Sequence, residues 1–62
     1  MNSREILKRL LQAGWYKVGQ TGSHIQLKHP TRPGKVTVPH PKMEIRIGTL
    51  RSIEKQSGVR LS

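Results

Sequence analysis

Two stretches of this chain alternate in a way that leaves half of each for water. In His24-Ile25-Gln26-Leu27-Lys28 the apolar residues are Ile25 and Leu27, and in Lys35-Val36-Thr37-Val38 they are Val36 and Val38. A strand sends successive side chains to opposite faces. Both stretches therefore read as strands with one apolar and one polar face, and whatever covers the sheet must lie on one side. Turn residues bound them. Gln20-Thr21-Gly22-Ser23 reads as a hairpin turn, and Pro30-Thr31-Arg32-Pro33-Gly34 joins the two strands. Pro39-His40-Pro41 ends the second strand, because proline has no N–H for the ladder. Trp15-Tyr16-Lys17-Val18 also has strand propensity. Tyr16 and Val18 are placed to face inward, which leaves Trp15 on the other parity or covering a helix end.

Helical spacing frames these strands. Residues 3–13 carry Ile6, Leu7, Leu10 and Leu11, one apolar stripe of a helix. Asn2 or Ser3 can cap its start, Asn2 with Glu5 has capping-box spacing, and Gly14 suits a left-handed C-terminal cap. Ile47 to Ser57 reads as a second helix with Leu50 and Ile53 inward, and Ile45 or Ile47 extends the stripe. Gly58 can cap it, Val59 and Leu61 can fold back on the core, and Glu54 is expected to face water near Arg51 or Lys55. The order α-β-β-β-α predicts an α+β fold over residues 1–62 as a single domain. Its three-stranded antiparallel sheet carries two helices on its one apolar face. The other face stays open and carries His24, Gln26, Lys28, Lys35 and Thr37.

Composition narrows the function. Sixty-two residues is near the lower limit for unaided folding, and the absence of cysteine excludes both a disulfide framework and a thiolate zinc site. Twelve Lys and Arg against three acidic residues give a formal charge of +9, which favours a polyanionic partner. The cations are spread along the chain, unlike those of a disordered basic tail. No run approaches the roughly 18 apolar residues of a membrane span, and the N-terminus lacks a secretion-signal pattern, so a cytoplasmic location is expected. His24 and His29, five apart on a strand, fall on opposite faces with no carboxylate nearby, so neither a metal nor a cofactor is expected. One Tyr and no Phe disfavour a multi-aromatic stacking sheet, and the lack of a helix-turn-helix pair disfavours direct DNA recognition.

The element order is that of double-stranded-RNA-binding domains, and five segments carry a closer likeness. Gly14-Trp15, Gly22-Ser23-His24, Lys28-His29-Pro30, Val36-Thr37-Val38-Pro39-His40 and Ile47-Gly48-Thr49-Leu50-Arg51-Ser52-Ile53 together resemble the HicA toxin family, from about residue 3 to 59. The resemblance implies a dsRBD-like fold and a small bacterial mRNA interferase of a type II toxin–antitoxin system. It also implies inhibition of translation and growth, and a HicB-type antitoxin that masks the active site. It assigns catalysis to the histidine of the glycine-serine-histidine turn, here His24. Two positions depart from the pattern. Ile25 stands where many relatives have a second histidine, which removes one proton carrier, and Glu54 stands where many have an apolar residue.

The chemistry of the residues points the same way. RNA breaks without a metal when its 2′-OH attacks the neighbouring phosphate, leaving a cyclic phosphate and a 5′-OH. The step needs proton transfer and positive charge around the phosphorane-like transition state. Histidine titrates near neutrality and suits the proton role, so His24 is the candidate catalytic residue. Lys28, Lys35 and Lys17 are the candidate phosphate contacts, with Gly22 and Ser23 as the turn that lets RNA come close. His40 is a possible second proton carrier, and His29, at a strand end beside Pro30, reads as structural. A non-catalytic RNA-binding module is the alternative reading.

Overall fold

The computed structural model describes residues 1–61. Helix α1 (Ser3–Gln12) is followed by strands β1 (Tyr16–Thr21), β2 (His24–Lys28) and β3 (Val36–Pro39), and by helix α2 (Ile47–Ser57). The strands form one antiparallel sheet in the order β1-β2-β3. Ile25, Leu27, Val36 and Val38 all point into one core, where Ile6 and Leu10 of α1 meet Leu50 and Ile53 of α2. Both helices therefore cover the same face, as the alternation of the strands requires. Neither helix is long and apolar enough to cross a membrane.

The end of α1 decides how the chain enters the sheet. Asn2 caps the start, its side-chain oxygen accepting the Glu5 N–H at 2.8 Å. At the other end the Gly14 N–H donates to the Leu11 carbonyl and the Trp15 N–H to the Leu10 carbonyl, at 3.1 and 3.0 Å. That pair of bonds is a Schellman closure, and Gly14 takes the left-handed φ of 98° that it needs. His29 fastens the closure from the sheet. The Thr31 N–H donates to His29 Nδ1 at 3.1 Å, so Nδ1 is the unprotonated nitrogen and Nε2–H donates to the Ala13 carbonyl at 2.9 Å. The His29 ring also meets Trp15 edge-on, with ring centres 5.2 Å apart.

Several side chains fall where simple periodicity does not put them. Trp15 is buried, while Tyr16 and Val18 are about half exposed, the reverse of the expected parity. Trp15 owes its place to the helix closure, which folds it over the end of α1. The pairing of β1 with β2 then slips between Lys17 and Gly19, leaving Val18 as the extra residue of a bulge. Of the apolar stripe of α1 only Ile6 and Leu10 are fully buried; Leu7 lies at the margin and Leu11 is mostly exposed, because the sheet is too narrow to cover the whole stripe. Ahead of α2, Ile45 enters the core and Ile47 stays outside.

The connection from β3 to α2 is tied to the start of the chain. The Ser3 N–H donates to the Lys42 carbonyl and the Ile45 N–H to the Met1 carbonyl, each at 2.9 Å. Gly58 closes α2 in the left-handed conformation. Beyond it Leu61 returns to the core, its N–H held by Glu54 Oε2 at 2.7 Å. Glu54 thus holds the returning tail rather than facing water: a carboxylate one turn before the helix end is within reach of that free backbone N–H.

Gly14 and Gly48 make a controlled pair. A Cβ on Gly14 would sit 2.8 Å from His29 Nε2 at a φ that disfavours side chains, whereas one on Gly48 would meet nothing. Gly14→Ala is predicted to cost about 2 kcal/mol or more, and Gly48→Ala to gain up to about 1 kcal/mol in the helix. Urea unfolding midpoints of the two variants, moving in opposite directions, are the check.

Candidate active site

The open face of the sheet is built in three rows, and its first row starts at the β1–β2 turn. Thr21 pairs with His24, so the loop is the two residues Gly22-Ser23. Gly22 has φ 58° and, among the described residues, no non-glycine residue has a positive φ, the pattern of a II′ hairpin turn with glycine first. A Cβ on Gly22 would touch nothing within 4 Å, so the approach to the turn is clear. Two braces hold it. Gln20 Nε2 donates to the Gly22 carbonyl at 3.1 Å while Gln20 Oε1 accepts from Lys17 Nζ at 3.0 Å. On the other side the His40 N–H donates to the Ser23 carbonyl at 2.7 Å. His24 is thereby fixed as the first residue of β2, exposed, between Thr21 and Pro39.

The next row is Gly19, Gln26 and Thr37, and the third begins with Tyr16 and Lys28. The middle row is low. Gly19 has no side chain and Gln26 lies across it, with Oε1 3.5 Å from where a Cβ would be. Lys35, one residue before β3, carries the third row on beside Lys28, and both line a shallow hollow with Tyr16 and Arg32.

This layout separates residues that the sequence suggested as neighbours. Lys28 and Lys35 lie at the far end of β2 from His24, roughly 13 Å along the strand at about 3.3 Å per residue. They belong to the same face but not to the same point on it. Lys17 pairs with Leu27 and so has the parity of the core side; through Gln20 its ammonium braces the turn from the outer edge of β1. Gly22, Ser23 and His24 do come together, in the turn itself.

The three histidines divide into one free and two fastened. His29 closes α1, as expected of a structural residue. His40 lies one residue past Pro39, which pairs with His24, so its side chain has the opposite parity and reaches the helix side. There its Nδ1 is 2.7 Å from Ser3 Oγ, and Ser3 Oγ accepts the Lys42 N–H at 2.9 Å. It does not approach His24. The open face, among the described residues, presents a single imidazole. No three His, Cys, Asp or Glu side chains gather among those residues where a metal ion could be held.

Tyr16 is the residue of this face that alternation hides. It is five positions from Thr21, and the bulge at Val18 is what puts both on the His24 side. The signal for it is Gly19, since a glycine inside a strand marks a bulge.

The division predicts different costs for removing each imidazole. Ser3 is almost fully buried. Ser3→Ala and His40→Ala each leave a polar partner unpaired and are predicted to destabilise the fold by about 1–3 kcal/mol. His24→Ala should stay within about 0.5 kcal/mol of wild type, as a surface change. Parallel urea titrations of the three variants measure this.

Comparison with known proteins supplies the family. A family model described as the HicA toxin of bacterial toxin–antitoxin systems matches residues 3–59. No curated protein matches the chain significantly. Among solved structures, a chain of the HicA3 and HicB3 toxin–antitoxin complex is similar over 100% of both chains, with 39% identity and a TM-score of 0.87. Sequence and fold agree over nearly the whole length, and the chain belongs to the HicA toxin family.

Proposed function

We propose that this chain is an endoribonuclease toxin that cuts mRNA at His24 without a metal, and so stops translation and growth. The observation that carries this reading is the placement of His24. It is an exposed imidazole at a braced turn, at the head of an uncovered cationic sheet face, while the other two histidines are fastened elsewhere. In the reaction His24 takes the proton from the 2′-OH as that oxygen bonds to phosphorus. The bond from phosphorus to the 5′-oxygen breaks, and the leaving oxygen gains a proton from water, which reaches this open face freely. The products are a 2′,3′-cyclic phosphate and a 5′-OH. Gly22 and Ser23 let the RNA backbone come close, and Lys17 supplies positive charge beside the turn. Lys28 and Lys35, at the other end of the face, hold phosphates further along the strand.

A cationic nuclease face needs a cover, and a HicB-type antitoxin is the partner that fits. The structurally similar HicA3 was solved with HicB3. With a formal charge of +9 on this chain, an acidic surface over His24 would be drawn to the same face as RNA. Such a partner, binding only the folded form, also stabilises a small domain. The cell compartment in this reading is the cytoplasm, where mRNA is translated.

Expression in a bacterial host tests the reading. Wild type is expected to arrest growth with loss of full-length mRNA, His24→Ala to do neither, and co-expression of a HicB-type antitoxin to restore growth. Arrest of equal strength by His24→Ala would reject His24 as the catalytic group and favour a module that acts by binding alone.

A further inference from the structure

The far end of the open face has a feature that cleavage at His24 does not use. Tyr16 stands at the mouth of a shallow hollow formed with Lys28, Lys35 and Arg32. It is 47% exposed, while the only other aromatic residue outside the histidines, Trp15, is buried. Tyr16 is also held on this face by a specific device. Regular alternation would put it on the side opposite Thr21, and the bulge at Val18 turns it back to the face of His24. Bulges re-aim side chains beside functional sites, and the side chain re-aimed here is an aromatic ring among cations.

We infer that this hollow is a nucleotide subsite for single-stranded RNA: Tyr16 stacks on a base, and Lys28 and Lys35 hold the phosphates beside it. A ring with phosphate-binding cations at its edge is the arrangement by which proteins hold single strands without reading sequence. The subsite lies roughly 13 Å from His24 along β2. It therefore takes a nucleotide further along the strand, not the one being cut. The low middle row of Gly19 and Gln26 leaves the path between the two ends clear for the strand. Arg32 is oriented by packing its guanidinium against Gly58 at the end of α2, which fixes the outer wall of the hollow. The inference rests on the reading of the chain as an RNA-cleaving protein and adds to it a requirement for substrate length. A strand too short to reach Tyr16 loses this contact.

The test uses the non-cleaving His24→Ala protein, with and without Tyr16→Ala or Tyr16→Trp, binding three fluorescent RNAs: a dinucleotide, a longer single strand and a duplex. Base stacking on one aromatic ring is worth about 1–3 kcal/mol, or roughly five- to hundredfold in affinity. Tyr16→Ala is expected to weaken binding of the longer strand by about that factor and to leave the duplex, whose bases are already stacked, unchanged. Tyr16→Trp is expected to keep the affinity. In otherwise wild-type enzyme, Tyr16→Ala raises KM for long RNA with kcat unchanged. Unchanged binding of the long strand by Tyr16→Ala overturns the subsite, as does an equal loss on all three RNAs. Loss of antitoxin binding with RNA binding intact would assign the hollow to the protein partner and likewise overturns it. The two readings fail separately. Tyr16-dependent binding by a protein that never cuts RNA leaves the subsite standing and rejects catalysis; cleavage with no Tyr16 dependence does the opposite.

Discussion

A sheet of three short strands with one apolar face can be covered on one side only. Everything else in this fold follows from that constraint. Ile25, Leu27, Val36 and Val38 draw both helices to one side, where α1 contributes Ile6 and Leu10 and α2 contributes Leu50 and Ile53. Apart from Tyr16 and Pro39 the opposite side is polar, and among the described residues no element lies over it. In most small domains that face would be only solvated surface. Here it begins with an exposed histidine at a rigid turn and ends with two lysines, so the same patterning that makes the core also exposes the residues on which the proposed chemistry rests.

Much of what fixes the sheet in place lies away from the open face. The Schellman closure at Gly14 seats Trp15, and His29 locks the closure to the end of β2. His40 runs from the edge of the turn, through its backbone bond to Ser23, to the buried Ser3 hydroxyl. The loop before α2 is stitched to the first residues of the chain. Two of the three histidines are thus fasteners, and one of them, His40, is tied through its backbone to the turn that carries the third. Charge is used with the same economy: of three acidic residues in the chain, Glu54 holds the returning tail, and the open face is left to cations.

Where one local rule governed a residue, the sequence was readable. The cap at Asn2, the closing glycines 14 and 58, the parity of β2 and β3 and the exposure of His24 all follow from spacing and turn chemistry. The family likeness rested on segments that the structure places at the helix ends, the β1–β2 turn, the end of β2 and strand β3. Failures came where two rules met. The helix closure and the bulge together reverse Trp15, Tyr16 and Val18, and a bulge needs a partner strand before it exists. Leu11 and Ile47 belong to apolar stripes wider than the sheet they cover. Lys28 and Lys35 were grouped with His24 because parity reports the face and not the position along it. His40 was open because nothing local says that Ser3, 37 residues earlier, waits for its ring.

The central claim is that a lone surface imidazole, supported only by its fold, cuts RNA. The most direct test is purified protein with labelled mRNA in the presence of a strong chelator, wild type beside His24→Ala, with the product ends identified. Wild type alone is expected to cleave, leaving 2′,3′-cyclic phosphate and 5′-OH ends. Equal cleavage by His24→Ala, or cleavage that the chelator abolishes, would contradict the claim.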